Sequence, residues 1–504
     1  MVQALFWCVV PSQQSPSRPD PRPSSRELVP DIAHRSGELA RALASDAGML
    51  AQMGKLFADR GHRIAVVGGS VRDALLGKPV NDLDFATSAR PEEVIDLLTP
   101  WANTVWDVGI RFGTVGARKG DRILEITTYR AESYDRSSRK PEVRYGSSLS
   151  DDLVRRDFTI NAMAVVLPTF DLVDEHGGIL DLTSGTLRTP APPRVSFSDD
   201  PLRMLRAARF VSQLGCTLEP STAEAIAEMA ERIQIVSSER VQGELTRLLT
   251  GDHPREGLAV LVDSGLAEYV LPELPSLRLE IDEHHRHKDV YEHSLTVLEQ
   301  AIAQEEDGPD LTLRLAALLH DIGKPRTRRF ENDGGVSFHH HEVVGSRMTR
   351  KRLKALRYSN QVVDDVSRLV ELHLRFHGYR GGEWTDSAVR RYVRDAGDLL
   401  PRLHKLTRAD STTRNRRRAL ALQRAYDDLE QRIAQLQAEE ELAAIRPELS
   451  GNEIMEILGI RQGPDVGAAY RFLLDLRLDR GPLGHDMAEE ALRAWWAARQ
   501  TQSG

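Results

Sequence analysis

Val67-Gly68-Gly69-Ser70-Val71-Arg72-Asp73 is followed nine residues later by Asp82-Leu83-Asp84. The glycine pair closes the apolar run Ile64–Val67 and opens a segment that reads as a helix, Val71–Leu76. Asp82 and Asp84 stand at i and i+2 in the apolar setting Val80–Phe85, and on a strand such residues project to the same side. Two carboxylates held together repel, and dry burial raises their pKa. The arrangement makes sense around a divalent metal: Mg²⁺ takes one or two carboxylates and completes its shell with substrate phosphates. A glycine turn beside it offers backbone N–H groups to those phosphates. The pattern is that of a nucleotidyl-transfer site.

The chain has 504 residues, 40% hydrophobic and 28% charged, with a net charge of −8. That length predicts several domains of roughly 100–200 residues each. Two cysteines, Cys8 and Cys216, are too few for a disulfide framework and fit a reducing cytoplasm. No apolar run approaches the ~20 residues that span a bilayer, and Leu5–Val10 is short and lacks the basic flank of a signal peptide. Bulk charge does not announce a polyanionic partner. Two local clusters do better: Arg350–Arg357 holds five Lys/Arg and no acid, and Arg402–Arg418 holds seven against Asp410 alone. Each reads either as a solvated helix face or as a phosphate contact.

Residues 1–30, rich in Pro, Ser and Gln, read as a disordered leader. Residues 31–190 read as a mixed α+β head: a helix over Leu39–Arg60, strands at Ile64–Val67, Asp82–Ala86, Thr114–Arg118, Ile123–Tyr129 and Leu172–Asp174, a helix at Pro91–Leu98, and a polar, mobile loop at Ser133–Ser148. Thr189-Pro190-Ala191-Pro192-Pro193 marks a boundary. Beyond it, apolar spacing predicts helices at Leu202–Gln213, Thr222–Arg232, Ser238–Leu249, Glu256–Ser264, Val290–Gln304, Leu311–His320 and Gln361–His373. The expected architecture is an α+β head with a mixed or antiparallel sheet, a helical neck (191–275), a helical body (276–420) and a helical tail (421–504).

Further motifs follow in order: Arg155-Arg156-Asp157-Phe158-Thr159-Ile160-Asn161-Ala162, Asp174-Glu175-His176-Gly177-Gly178, Asp199-Asp200-Pro201-Leu202-Arg203-Met204-Leu205-Arg206-Ala207-Ala208-Arg209-Phe210, and Ser238-Glu239-Arg240-Val241-Gln242-Gly243-Glu244-Leu245. With the glycine turn and the Asp-x-Asp strand, this series resembles the bacterial and eukaryotic class of CCA-adding tRNA nucleotidyltransferases, in the polymerase-β-like superfamily. The resemblance implies a polymerase-β-like head that adds C, C and A to tRNA from CTP and ATP without a nucleic-acid template. By that resemblance Asp82 and Asp84 hold catalytic Mg²⁺, and Gly68, Gly69 and Arg72 contact the triphosphate. Asp157 accepts from the ribose 2′-hydroxyl, Arg155 and Arg156 serve phosphate, and Asn161 ties its motif to backbone rather than touching substrate. Glu125 reads either as a third carboxylate or as a surface charge, and Asp73 as a helix-start acid.

Ser198-Asp199-Asp200-Pro201 reads as a helix start with a capping serine. The i,i+3 spacing also puts Asp200 and Arg203 on one face. A carboxylate accepts and a guanidinium donates. Cytosine and adenine both offer an amino donor beside a ring-nitrogen acceptor, whereas uracil and guanine present the reverse. One Asp/Arg pair therefore accepts C and A and leaves U and G with unpaired groups, at roughly 1–3 kcal/mol each. Arg206 and Arg209 continue the stripe, either bracing the pair or forming ion pairs. The chain has Asp199 where the family usually carries Glu.

Poly(A) polymerases share the head but carry a basic-aromatic strand in place of Val108-Gly109-Ile110-Arg111-Phe112-Gly113-Thr114-Val115. The loop from Arg130 through Lys140-Pro141 favours complete CCA addition over CC addition; A-only addition stays open. Further on, His293, His320-Asp321 and Asp410 resemble the HD phosphohydrolase pattern, which implies a divalent metal of unspecified identity. His341 and His373 are either an extension of that set or ordinary histidines. Phosphohydrolase action on RNA ends is the remaining alternative. Partners implied are tRNA, CTP and ATP, with no membrane.

Overall fold

The computed structural model describes residues 46–80, 82–110, 113–129, 146, 148–278, 289–332, 335–376, 384–411, 416–440 and 446–502. The expected leader and most of the expected mobile loop lie outside the described residues. The chain divides into two units at Pro192/Pro193.

The first unit is built on a seven-stranded mixed sheet. Helix α1 (Ala47–Ala58) leads to β1 (Ile64–Val67), α2 (Gly69–Leu75), β2 (Asp82–Thr87), α3 (Pro91–Leu98), β3 (Thr104–Trp106), β4 (Thr114–Lys119), β5 (Arg122–Thr128), α4 (Leu149–Leu153), β6 (Ala164–Leu167), β7 (Asp171–Val173) and α5 (Gly178–Ser184). The order across the sheet is β3-β4-β5-β2-β1-β6-β7. Every pairing is antiparallel except β2 with β5. The period-2 alternation of β2 sends Leu83 and Phe85, each 1% exposed, into the core with Leu124 and Ile126 of β5. On the opposite face Ala65, Val67, Ala86, Tyr129, Leu153 and Ala164 pack together. This second cluster stops at Ala86, so Asp84 and Asp82 sit at its open edge.

Two strands of this sheet escaped the sequence reading, as did the short helices α4 and α5. Strand β6, buried beside β1, carries no alternation because both of its faces are covered. Strand β3 is only three residues long.

Among the described residues the second unit is helical apart from short strands at Thr217–Leu218, Arg329–Phe330 and Val336–Ser337, the last two paired as a ribbon. Its first helices are α6 (Pro193–Asp199), α7 (Leu202–Leu214) and α8 (Ser238–Leu249). Ser198 is not the cap of α7; it belongs to α6, and the Asp200 carboxylate instead accepts from the Leu202 N–H at 3.1 Å. A second group comprises α9 (Val290–Ile302), α10 (Leu311–Leu319), α11 (His341–Ala355), α12 (Asn360–Leu372) and α13 (Leu400–Asp410). At the tail, helices Gly451–Leu458, Pro464–Arg480 and His485–Gln502 close around Leu449, Ile454, Ala469, Leu473, Ala488 and Leu492. Among the described residues no helix is long and apolar enough to cross a membrane.

Candidate active site

The turn between β1 and α2 is set by Gly68, whose φ of 73° places it in the left-handed region that favours glycine. A side chain there would also crowd the site: a Cβ would lie 2.9 Å from Arg156 Nη1, pushing that guanidinium aside, and 3.8 Å from Asp84 Oδ2. Gly68 is thus the gap through which Arg156 and Asp84 face each other. Ser70, next on α2, pins the turn to β2: its hydroxyl donates to the Asp82 carbonyl at 3.0 Å and accepts the Asp84 N–H at 3.1 Å. One buried side chain therefore fixes the backbone of both aspartates.

Asp82 is exposed and Asp84 half-buried on one face of β2. In the parallel pairing Asp84 is register partner of Glu125, so Glu125 lies beside the pair. The alternation Ile123-Leu124-Glu125-Ile126, with the even positions buried, was the signal for this. Burial and the Glu125 carboxylate push the Asp84 carboxyl above its ordinary range, Arg156 pulls it down, and Asp82 adds to the rise. The donor set is all oxygen, which suits a hard divalent cation. These oxygens do not converge among themselves: donor groups within 4.8 Å of one another occur, among the described residues, only in the helical unit. Such an open set leaves positions for oxygens from elsewhere.

Arg72 is committed within the protein. Its Nε and Nη2 each donate to Asp73 at 2.9 Å, and Nη1 donates to Asn161 Oδ1 at 2.7 Å. Asp73 therefore orients Arg72 and does not act as a helix-start acid. Asn161 passes the chain on, its amide donating to Asp157 Oδ1 at 3.0 Å; the same oxygen accepts the Phe158 N–H at 2.9 Å. Asn161 ties its motif through side chains more than through backbone. Arg156 is held by Asp152 at 2.9 Å, and Arg155 has a buried Nη1.

In the helical unit, Asp200 and Arg203 take separate partners. The Asp200 carboxylate pairs with Arg240 at 2.8 Å, and Arg203 Nη1 donates to Ser196 Oγ at 2.8 Å. Arg206 and Arg209 both turn to the buried Glu244, at 3.7 and 3.1 Å, and Arg209 stacks on Phe210. They brace α7 on α8. Part of the basic clusters is matched by acids: Arg350 pairs with Asp364, Arg352 with Glu273, Arg357 with Glu239, Arg402 with Asp310, and Arg408 with Asp427 and Glu430.

His293, His320, Asp321 and Asp410 meet in the same unit. His293 Nε2 lies 2.9 Å from Asp410 Oδ1, and His320 Nε2 lies 3.2 Å from Asp321 Oδ2 and 3.4 Å from Asp410. His341 and His373 also join: their Nε2 atoms stand 3.2 and 4.0 Å from Asp321 Oδ1. Two donor groups result, His293-His320-Asp321 and Asp321-His341-His373, sharing Asp321. The ring Nδ1 atoms of His320, His341 and His373 each lie within 2.8 Å of the carbonyl three residues back. Donation to those carbonyls fixes the tautomer and aims a bare Nε2 inward. These three Nε2 atoms are buried with no hydrogen-bond partner, whereas Asp321 Oδ2 meets Lys324 Nζ at 2.8 Å. Unpaired buried groups cost roughly 1–3 kcal/mol each, so three together around one carboxylate fit a divalent metal. Burial alone would raise the Asp321 carboxyl, but His320 and Lys324 hold it well below the usual range. The sequence left His341 and His373 open as an extension of this set, because a single histidine in a sequence carries no sign of what it faces.

Comparison with known proteins gives a consistent set of likenesses. Residues 64–188 match the family described as “Poly A polymerase head domain”, 215–277 match “Probable RNA and SrmB- binding site of polymerase A”, and 290–415 match “HD domain”. An A-adding tRNA nucleotidyltransferase of Deinococcus radiodurans is 36% identical over 356 residues, covering 69% of this chain and 80% of that protein. A CCA-adding enzyme of Enterococcus faecalis is 44% identical over 211 residues, covering 42% of this chain and 51% of that one. The match to such CCA-adding relatives thus spans about half their length. The structure of the Bacillus stearothermophilus CCA-adding enzyme in complex with CTP superposes with a TM-score of 0.66 at 24% identity, covering 92% of this chain and 99% of that one, which shows a shared fold.

Proposed function

The chain belongs to the tRNA nucleotidyltransferase family, and from that premise we propose that it adds C, C and A in turn to the 3′ end of tRNA, using CTP and ATP and no nucleic-acid template. The observation that carries the reading is the Asp82/Asp84 face with Glu125 alongside, pinned by Ser70 behind a side-chain-free Gly68.

Asp82 and Asp84, with Glu125 beside them, would hold Mg²⁺, which when bound neutralises charge on the α-phosphate and acidifies the attacking 3′-hydroxyl. The protein's own groups do the rest. Gly68 and Gly69 let the triphosphate approach the backbone. Arg156, held by Asp152, lies on the far side of Gly68 and offers positive charge to phosphate oxygens. Arg72 acts through Asn161 to hold Asp157 steady, and Asp157 takes the ribose hydroxyl. Arg203 and Asp200 select the base edge, and the Arg240 contact keeps the Asp200 carboxylate directed.

Extent of addition has two readings. The polar stretch from Arg130 to Pro141 supports completing CCA; the longer alignment, with the A-adding relative, supports addition of the last A alone. The deciding experiment gives purified protein tRNA ending at the discriminator base, and separately tRNA ending in CC, with Mg²⁺ and single nucleotides, and sequences the products. CCA on the first substrate supports the proposal. Extension of only the second by one A establishes the A-adding reading, and a long A tract a poly(A) polymerase.

The orphaned donors around Asp321 favour a second, hydrolytic activity on phosphate esters. His293, His320 and Asp321, together with His341 and His373, would hold divalent metal, which would supply activation of water for attack on a phosphorus centre. Release of phosphate from 3′-phosphorylated or 2′,3′-cyclic RNA ends tests it. No release with any common divalent ion would leave these helices as a scaffold.

A further inference from the structure

On the open face of the head sheet the strand register lines residues into rows. One row runs Trp106 (β3), Gly116 (β4), Glu125 (β5), Asp84 (β2). The next runs Thr104, Arg118, Ile123, Asp82. Gly116 is buried although its face is open, because the Trp106 indole covers it: a Cβ at Gly116 would fall 2.0 Å from Trp106 Nε1 and 2.1 Å from Cε2. Trp106 therefore leans across β4 toward Glu125 and the aspartates. Glycine is required at 116 for this; any side chain would displace the indole.

The neighbouring row supplies the remaining character of the surface. Arg118 is exposed and, among the described residues, has no carboxylate partner. Ile123 is 44% exposed. An aromatic ring, an uncompensated cation and an apolar side chain, continuous with a nucleotidyl-transfer site, are the components with which proteins hold single-stranded nucleic acid.

We propose that Trp106 is a positioning residue for the RNA primer, stacking on the base of its last or next-to-last nucleotide while Arg118 meets the backbone phosphate. The occupant is the single-stranded 3′ end of the RNA. Strands in a sheet are about 4.8 Å apart, so Gly116 lies roughly 10 Å across the sheet from Asp84, a span of one to two nucleotides. The stack holds the 3′-hydroxyl toward Asp82 and Asp84. This inference rests on the transferase reading. Its structural rival is simple: an aromatic side chain across from a strand glycine also fills space and stabilises the sheet.

The two separate by experiment on the full-length protein with tRNA lacking its 3′ end. Trp106→Leu keeps apolar cover over Gly116 and removes the stacking face. The KM for tRNA is expected to rise between about fivefold and a hundredfold, the span of a lost base–aromatic stack, with the KM for the nucleotide unchanged. Arg118→Gln should raise the KM for tRNA and flatten its dependence on salt. Primers abasic at the last or next-to-last position should weaken wild type at one of the two and add no further loss to Trp106→Leu. The wild-type abasic comparison needs no variant, so misfolding of Trp106→Leu does not shelter the idea. An unchanged KM for tRNA in Trp106→Leu, or abasic primers extended as well as intact ones, overturns the inference alone. Wild-type protein that extends no tRNA overturns the transferase reading, and this inference with it.

Discussion

Glu125 and Asp84 are register partners on parallel neighbouring strands, with both carboxylates on the open face of the head sheet. Like charges one strand apart oppose each other by roughly 1–3 kcal/mol, depending on how much water screens them. The fold tolerates this at the place where positive charge from a metal would offset it.

Asp84→Asn should therefore stabilise the metal-free protein while abolishing nucleotide addition. Because the folded-state pKa of Asp84 is raised, its penalty is absent at pH below the ordinary carboxylate value and fully developed above the folded value. At neutral pH the variant should gain about 1–3 kcal/mol and lose the increase in Tm that Mg²⁺ gives wild type. Thermal melts with and without Mg²⁺ measure both. A variant less stable than wild type without metal would contradict the repulsion.

Glu125→Gln removes one of the charges that raise Asp84. Asp84 should then ionise at lower pH, and the acid limb of the rate–pH profile should move to lower pH. If Glu125 also holds metal, kcat falls on the order of tenfold to a hundredfold with little change in nucleotide KM. A profile that stays in place would show that Glu125 is electrostatically idle.

Ser70→Ala leaves the Asp82 carbonyl and the Asp84 N–H without their shared partner. The expected loss is about 1–3 kcal/mol of stability, accompanied by a fall in kcat because both carboxylates lose their fixed backbone. Chemical denaturation and the 3′-end assay report the two effects. Lost stability with full activity would reduce Ser70 to a packing role.

Arg203→Ala should relax the choice of C and A over U and G. Arg240→Ala should do so more weakly, since it frees the Asp200 carboxylate to which Arg240 binds at 2.8 Å. Single-nucleotide incorporation with all four triphosphates measures this; undiminished selectivity in Arg203→Ala would remove the template role from this pair.

His341→Ala and His373→Ala should each lower bound metal from two ions per chain to one. His293→Ala and Asp410→Ala should empty the other half-site, and none of the four should affect nucleotide addition. Elemental analysis after dialysis reads the stoichiometry. Full retention of two ions in His341→Ala and His373→Ala would return these residues to the core.

Local residue order was enough for the parts whose chemistry is local. The Asp82-Leu83-Asp84 alternation declared a strand with two acids on one side, the glycine pair declared the turn before it, and the apolar spacing of Ser238–Leu249 declared a helix with the bounds later found. Period and turn chemistry act over a few residues, so they are written in the chain itself. The resemblance of the ordered motifs also placed the family. What needed the tertiary structure was which group stands opposite which. Arg72 spends its guanidinium on Asp73 and Asn161, Asp200 pairs with Arg240, and Glu125 comes beside Asp84. His341 and His373, on two different helices, close on Asp321, and Trp106 fills the space left by Gly116. Those partners lie tens of residues apart, and only strand register and helix packing, which depend on the whole core at once, bring them within a few ångströms.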